Sequence, residues 1–196
     1  MKPIFNDYQK KLSDIILENN AISPLSELYS NEIRELAVVW SYYSEKIEGN
    51  TYSFVETETL LKDGITSAKK FEDAKMLKNL YNTFIAELQH IKSGNKEVID
   101  KRFLMQMHSQ LLDELVDDRE RSIIRKRAVR IAGSDYVPLA SPTAIEESLD
   151  HIIAQQANLS NPLERAVYLH CNIAKLQPFI DGNKRTARLT ESVVLM

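Results

Sequence analysis

Apolar residues recur at spacings of three and four along most of the chain, which is the pattern of amphipathic α-helices. Between Asn31 and Glu48 this spacing predicts a helix with one buried stripe. The stripe consists of Ile33, Leu36, Ala37, Trp40, Tyr43 and Ile47. Ser53 and Glu56 have the spacing of a capping box and predict the start of another helix. Further helices are predicted over 54–62, 69–91, 96–115, 143–155 and 162–176, with a last one beginning near Lys184. We therefore expect an all-α fold.

The helical pattern is interrupted between 127 and 139. The stretch Arg127–Ile131 alternates between polar and apolar residues, which is typical of a half-buried strand. Gly133–Asp135 is a turn sequence, and Tyr136–Val137 provides a short return before Pro138. These features predict one small β-hairpin within the helical domain.

Composition and charge limit the classes of protein that fit. The chain has 196 residues, of which 43% are hydrophobic, enough for a single domain with a sizeable core. Its net charge of −3 is unlike that of a dedicated nucleic-acid binder. The single cysteine, Cys171, excludes an internal disulfide, and no run approaches the ~18 apolar residues of a membrane span. We expect a cytoplasmic domain that binds neither membrane nor nucleic acid, and a native chain that continues past Met196.

The residues that carry chemistry lie between Gln177 and Arg188. Pro178 ends one helix, and a Gly182-Asn183 turn precedes the next, whose first N–H groups are free to bind an anion. Gly182 lets the backbone approach a phosphate closely, and Asn183 tolerates the left-handed conformation that such a loop requires. This arrangement predicts a phosphate-binding loop at the start of a helix.

Charged side chains around this loop extend the prediction. Arg185 and Arg188 lie three residues apart on one helix face, where both guanidinium groups can bind phosphate oxygens. Asp181 is placed to hold Mg²⁺ that bridges those oxygens. The residues therefore predict a polyphosphate site with a metal ion. The alternative is an ordinary turn before a helix whose arginines are solvated.

The segment resembles the signature of the Fic/Doc (Fido) family, His-Pro-Phe-x-Asp/Glu-Gly-Asn-Gly/Lys-Arg-x-x-Arg, at every position except the first. The resemblance implies a single helical-bundle domain over 1–196. Its parts would be an N-terminal region with an inhibitory helix over 1–50, a flap hairpin over 127–139 and the catalytic-loop helices over 162–196. Family members mostly transfer AMP from ATP to a hydroxyl of a target protein. The resemblance implies that Asp181 binds Mg²⁺ and that ATP is bound by Gly182, Asn183, Lys184, Arg185 and Arg188.

Two positions depart from the family pattern. Gln177 stands where the family has the histidine that deprotonates the attacking hydroxyl, and loss of a general base typically costs ~10²–10⁴ in rate. Lys184 stands where AMP-transferring members usually have glycine, whereas Doc-like members, which transfer phosphate, have lysine. Besides an attenuated AMP transferase, the sequence thus leaves open a Doc-like phosphotransferase and a catalytically degenerate ATP-binding regulatory module.

A second motif, over residues 44–50, resembles the family's N-terminal inhibitory motif, Ser/Thr-x-x-x-Glu-Gly/Asn, with Ser44, Glu48 and Gly49 at its defined positions. Glu48 ends its helix, where the dipole disfavours an anion by ~0.3–1 kcal/mol, so it is expected to have a cationic partner. The resemblance implies that Arg188 is this partner and that Glu48 inhibits by occupying the terminal-phosphate position. Two alternatives stay open: Glu48 acts as a base on water and removes AMP from a modified protein, or it is a solvated charge.

The hairpin over 127–139 resembles the family's flap, which pairs with an extended segment of the target by strand addition. The resemblance implies that Val129, Ile131 and Tyr136 are the docking side chains for a target protein with a Ser, Thr or Tyr hydroxyl. The alternative is a small capping hairpin without a docking role. A homodimer that locks the inhibited state is expected only by analogy.

Overall fold

A computed structural model describes residues 4–19, 24–66 and 68–196. Helices contain most of these residues, and no β-strand occurs among them. The helices are α1 (Asp7–Leu17), α2 (Ser30–Ile47), α3 (Phe54–Asp63), α4 (Phe71–Lys92), α5 (Lys101–Leu111), α6 (Pro142–Gln156), α7 (Pro162–Leu176) and α8 (Asn183–Leu195), with a 3₁₀ turn at Leu25–Glu27. The all-α prediction is confirmed for this part of the chain, and none of its helices is long and apolar enough to cross a membrane.

Polar caps determine where several helices begin. The Ser53 hydroxyl accepts a hydrogen bond from the Glu56 N–H at 3.3 Å, and the Glu56 carboxylate accepts one from the Ser53 N–H at 2.8 Å, which is the predicted capping box. Ser141 and Asn161 cap α6 and α7, and a proline follows each of them at the first helical position. These caps satisfy N–H groups that have no partner within the helix.

The central core lies where α7 and α8 pack together, with α4, α5 and α6 around this pair. Fully buried members of this core include Leu104, Leu112, Ile145, Leu169 and Leu189. A smaller cluster, which consists of Tyr52, Leu60, Ala74 and Leu77, joins α3 to α4. Helix α2 packs mainly against α4, and α1 contacts α7. The connection between α7 and α8 is therefore anchored in the core.

The buried face of α2 differs from the predicted stripe. Leu36 is 41% exposed, Tyr43 is 61% exposed and Ile47 is 71% exposed, although all three were expected to be buried. The buried residues of α2 are Ile33, Ala37, Val38, Ser41, Ser44 and Glu45. The polar residues are buried at the C-terminal end because that end of α2 faces the charged residues of α8 rather than the apolar core.

The predicted β-hairpin over 127–139 is wrong. A turn does form there, with the Ser134 N–H donating to the Ile131 carbonyl at 3.2 Å, but no strand pairing joins the two arms. An isolated two-stranded hairpin is marginal in water, and Pro138 has no N–H to donate. The carbonyls of Arg127 and Leu139, at the ends of the arms, instead accept hydrogen bonds from the Arg125 side chain. We call residues 127–139 the flap segment.

Candidate functional site

The phosphate-binding loop predicted from the sequence connects α7 to α8. Gln177 caps the C-terminal end of α7; it has a left-handed backbone with φ of 52° and donates its N–H to the Ile173 carbonyl at 3.0 Å. Helix α8 begins after Gly182, which is also left-handed with φ of 70°. The first hydrogen bond of α8 runs from the Thr186 N–H to the Gly182 carbonyl at 2.9 Å. The N–H groups between these residues have no intrahelical acceptor and remain available to an anion.

Gly182 packs directly against the side chain of Leu112. A Cβ atom built on Gly182 would overlap with Leu112 Cδ2. Leu112 is fully buried in the main core, so this contact fixes the height of the loop above the core. The close packing and the positive φ together explain the glycine at this position.

The side chain of Asn183 holds the loop together from within. Its Oδ1 accepts from the Phe179 N–H at 2.8 Å, and its Nδ2 donates to the Phe179 carbonyl at 2.9 Å and to Gln177 Oε1 at 3.1 Å. Gln177 Nε2 donates to the Ala174 carbonyl at 2.6 Å. Both polar ends of the Gln177 amide are therefore occupied within the chain.

His108 supports the loop from below. Its ring stacks on Phe179 with centroids 3.9 Å apart and is fully buried. The Ser122 N–H donates to Nδ1 at 3.0 Å, so the ring proton lies on Nε2, which donates to the Asp181 carbonyl at 3.1 Å. Burial lowers the pKa of His108 to about 4, which keeps the ring neutral. His108 thus orients the loop and is unsuited to take part in acid–base chemistry near neutral pH.

A cavity of about 310 Å³ opens in front of the loop, within the size range of small-molecule sites. The sequence-predicted residues that line it are Glu48, Val129, Ile131, Gln177, Asp181, Gly182, Asn183, Lys184 and Arg185. Met76, Arg130, Ala132 and Ile180 also line it and were not predicted. Met76 lies on α4, distant in sequence from both motifs, so no local pattern indicated it.

Asp181 and Arg185 lie at the mouth and in the wall of this cavity. Asp181 accepts from the Gly182 N–H at 2.6 Å and from Arg185 Nη2 at 3.3 Å, while its side chain remains 63% exposed. Arg185 is buried, and its Nη1 has no hydrogen-bond partner. The described residues contain no cluster of three or more metal-ligating side chains. A single accessible carboxylate still fits Mg²⁺, which proteins commonly hold with one or two carboxylates and the substrate's phosphates.

Glu48 closes the other side of the site. Arg188 donates through Nη2 to Glu48 Oε1 at 2.9 Å and through Nη1 to the Ser44 carbonyl at 3.0 Å. Lys184 Nζ lies 3.7 Å from Glu48 Oε2. Gly49, with φ of 90°, lets the chain turn away immediately after Glu48. The end of α2 and the first turns of α8 are therefore joined by an ion pair between Glu48 and Arg188.

Glu45 is a residue of this site that sequence reasoning missed. It is fully buried, and neither carboxylate oxygen has a hydrogen-bond partner. Burial raises the pKa of Glu45 to about 7; Arg185 and Arg188 oppose this shift, and the negative charges of Glu48 and Asp181 add to it. A carboxyl group that ionises near neutral pH therefore lies beside the two arginines.

The predicted docking residues of the flap segment separate into two groups. Val129 and Ile131 line the cavity together with residues of the α7–α8 loop. Tyr136 lies outside it, where Lys175 Nζ is 5.3 Å from its ring centroid. Only the first arm of the flap segment therefore faces the candidate site.

Comparisons with known proteins agree on one family. The family model described as Fic/DOC family matches residues 98–195. The relative named protein adenylyltransferase Fic from Drosophila mojavensis is 24% identical over 197 residues, which are 96% of this chain and 38% of the relative. The relative of the same name from Aedes aegypti is 25% identical over 199 residues, with 96% and 38% covered. The chain thus spans well under half the length of these relatives.

A solved structure has the same fold. The crystal structure of a Fic family protein from Desulfovibrio desulfuricans G20 matches with a TM-score of 0.80 and 19% identity. The match covers 100% of this chain and 60% of that one. At this identity the likeness establishes the arrangement of helices around the loop, and no more.

Proposed function

The chain belongs to the Fic/DOC family, and we propose that it is a self-inhibited protein adenylyltransferase. It binds ATP at the α7–α8 loop and transfers AMP to a Ser, Thr or Tyr hydroxyl of a target protein. The main support for this proposal is the cavity in front of the free N–H groups of α8. Beside it, the Glu48 carboxylate accepts a hydrogen bond from Arg188. A cytoplasmic setting would supply both ATP and protein targets.

In this proposal, different groups of the loop and of α8 bind different parts of ATP. The N–H groups at the start of α8 bind phosphate oxygens, and the positive end of the helix favours their charge. Arg185, whose Nη1 lacks a partner, donates to the polyphosphate. Asp181 would hold Mg²⁺, which neutralises charge on the phosphates when bound. Arg188 is available to the terminal phosphate only when it leaves Glu48.

The transfer itself is a displacement at the α-phosphorus. The target's hydroxyl oxygen forms a bond to this phosphorus, the bond to the bridging oxygen breaks, and pyrophosphate leaves with the electron pair. The flap segment, through Val129 and Ile131, holds the target's backbone beside the cavity. The hydroxyl proton must pass to a base, and Gln177 cannot accept it because an amide is not basic near neutral pH. We therefore expect slow transfer, with the proton going to water.

Labelling with ATP that carries ³²P at the α-position tests this proposal. The wild-type chain, Glu48→Ala, and Glu48→Ala combined with Gln177→His are compared on a lysate. Histidine accepts a left-handed backbone more readily than most residues, so the φ of 52° at position 177 is no obstacle. Glu35→Ala, on an exposed position of α2, is the matched control. We expect no labelling by the wild type or the control, weak labelling by Glu48→Ala and strong labelling by the double variant.

Each outcome has a separate meaning. Labelling by Glu48→Ala alone means that the chain transfers AMP without the usual histidine. Labelling that needs Gln177→His, with unchanged ATP affinity, means that the natural chain is a nucleotide-binding regulatory module. Failure of the double variant to label any protein, although it binds ATP, contradicts AMP transfer.

Phosphate transfer is a second candidate function, which Lys184 favours. Its ammonium lies 3.7 Å from Glu48 Oε2 and lines the cavity, so it adds a positive charge where an AMP-transferring member usually has glycine. Such a charge can draw the polyphosphate into the reverse orientation. Label from γ-³²P-ATP but not from α-³²P-ATP would then reach the target.

Removal of AMP is a third candidate, carried by the carboxylate of Glu48 at the cavity wall. Glu48 would take a proton from water, whose oxygen forms a bond to the phosphorus of the AMP–protein linkage. The bond from this phosphorus to the protein oxygen breaks, and that oxygen leaves with the electron pair and takes up the proton. An AMP-modified protein incubated with the chain should then release AMP, and Glu48→Ala should abolish the release. Survival of the release in that variant would exclude this role.

A further inference from the structure

Arg125 lies between the flap segment and the end of α7, and it is only 2% exposed. Its Nε donates to the Gln177 carbonyl at 2.6 Å. Its Nη1 donates to the Arg127 carbonyl at 2.8 Å, and its Nη2 donates to the Leu139 carbonyl at 2.5 Å. One guanidinium group thus joins both ends of the flap segment to the residue that stands at the position of the missing base.

The backbone of Arg125 adds a second link to the same loop. Its N–H donates to the Pro178 carbonyl at 3.0 Å. Pro178 directly precedes Phe179, whose ring stacks on His108. Displacement of Arg125 would therefore move both Gln177 at the end of α7 and the Pro178–Phe179 part of the loop.

The chemistry of this contact is specific to arginine. The side chain's acceptors are three backbone carbonyls, and burial lowers the pKa of the guanidinium below its usual value. A buried cation is tolerated when its N–H groups are hydrogen-bonded, and hydrogen bonds from a charged donor are stronger than those between neutral groups. The planar guanidinium holds its acceptors in fixed relative positions, whereas a lysine ammonium is a single point on a flexible stem.

We propose that Arg125 is a positioning residue that couples target docking on the flap segment to the placement of Gln177 and the phosphate-binding loop. The catalytic part of this inference rests on the proposed function. When a target strand pairs with the flap segment, the two arms of the segment shift or become more rigid. Because the planar guanidinium binds the ends of both arms and the Gln177 carbonyl, it passes this displacement on to Gln177. A misplacement of about 1 Å near a reacting centre can cost ~10²-fold in rate, so this link favours transfer when the flap segment is occupied.

The physical link is tested first, without any activity. Amide hydrogen exchange is measured in the wild-type chain, in Arg125→Lys and in the control Arg119→Gln, whose side chain is 89% exposed. We expect Arg125→Lys to accelerate exchange about tenfold or more in both the flap segment and residues 177–183, since loss of one such hydrogen bond corresponds to about that factor. The control should leave both regions unchanged. Faster exchange in the flap segment alone would overturn the proposal.

A substitution at the tip of the flap segment tests the coupling without touching Arg125. Gly133 has φ of 73° and open space around it, so Gly133→Ala strains the turn without a clash. We expect this variant to change exchange at 177–183 in the wild-type background and to have no such effect in Arg125→Lys. If Arg125→Lys does not fold, unchanged exchange at 177–183 in Gly133→Ala alone still refutes the link.

Kinetics then test the catalytic consequence. In the Glu48→Ala, Gln177→His background, Arg125→Lys should lower kcat for the protein target about 10- to 100-fold and leave the KM for ATP within about twofold. A purely structural role would instead lower ATP affinity and kcat together. Unchanged kcat, or parallel loss of ATP affinity, contradicts the proposal. Absence of transfer by the background itself refutes the proposed function, and the exchange results remain decisive for the link.

Discussion

Glu45 makes the free energy of unfolding of the chain depend on pH. Its carboxyl group is fully buried without a hydrogen-bond partner, and burial raises its pKa from 4.5 to about 7. The folded state therefore holds this proton more tightly than the unfolded state. Stability falls as pH rises from 4.5 towards 7, because the unfolded chain ionises first, and the loss is complete above 7. Such a shift corresponds to about 3 kcal/mol.

Glu45→Gln should remove this dependence. A neutral amide has no buried charge at any pH, so we expect the variant to be more stable than the wild type at pH 8, by up to about 3 kcal/mol, and nearly equal to it at pH 4.5. Urea unfolding across this range measures the difference. Glu35→Gln, an exposed substitution on the same helix, should change stability by no more than about 0.5 kcal/mol at either pH. A Glu45→Gln chain that is less stable than the wild type at pH 8 would contradict this account.

The role of a residue can be predicted from the sequence when that role depends on residues close to it along the chain. Gly182 and Asn183 are recognisable because a tight turn before a helix needs them, and Glu48 because an acid at a helix end is unfavourable. Arg125 and His108 could not be assigned roles, since their acceptors, Gln177 and Asp181, lie 52 and 73 positions away in the sequence. Only the packing of the helices brings these residues together, and no local pattern records it.

Among the secondary-structure elements, caps and apolar periodicity predicted most helices, but two segments differ from their predicted structure. The flap segment has the alternation of a strand, and its ends are joined by Arg125 instead of by a ladder. Helix α1 was not predicted. Ser13 is its only buried residue, and side chains such as Tyr8 and Ile15 are 70% and 65% exposed, so its apolar positions follow no buried stripe.

Helix α1 should be a locally unstable element. Glu164, in the first turn of α7, accepts hydrogen bonds from the Ile4 and Phe5 N–H groups at 2.8 and 3.1 Å, and few other contacts hold α1 to the domain. We expect Glu164→Ala to accelerate amide exchange in residues 7–17 about tenfold or more, while α8 keeps its protection.

Hydrogen exchange with mass spectrometry measures this difference. The exposed acid Glu147, on α6, supplies the matched alanine control, which should leave α1 unchanged. Protection of α1 equal to that of α8 in the wild-type chain would show that it is an integral part of the cooperative fold.

In the molecule as a whole, Glu48 at the end of α2 would compete with the nucleotide for two cations of α8, Arg188 and Lys184. The Glu48–Arg188 contact links the end of α2 to α8 across 140 positions of sequence. Any ligand that binds the folded chain raises its stability according to its concentration and affinity. A phosphate that must displace Glu48 binds more weakly, so the ligand's stabilising effect reports the strength of this contact.

Thermal unfolding with and without MgATP should therefore distinguish the variants. We expect Glu48→Ala to bind MgATP about tenfold or more tightly than the wild type, which adds ~1.4 kcal/mol of ligand-induced stability at a fixed saturating concentration. Differential scanning calorimetry measures the shift in Tm, and Glu35→Ala should behave as the wild type. Equal shifts in the wild type and in Glu48→Ala would mean that Glu48 does not oppose the nucleotide.

The Glu48–Arg188 ion pair and the hydrogen bonds of Arg125 also differ in how they respond to ionic strength. Glu48 and Arg188 are oppositely charged, with side chains 21% and 13% exposed, and raising salt from 0.1 M to 1 M shortens the screening length from about 10 Å to about 3 Å. Arg125 is buried and donates to carbonyl dipoles that carry no net charge, so dissolved ions have little to screen. Concentrated salt should thus weaken the Glu48–Arg188 contact more than the hydrogen bonds that join the flap segment to Gln177.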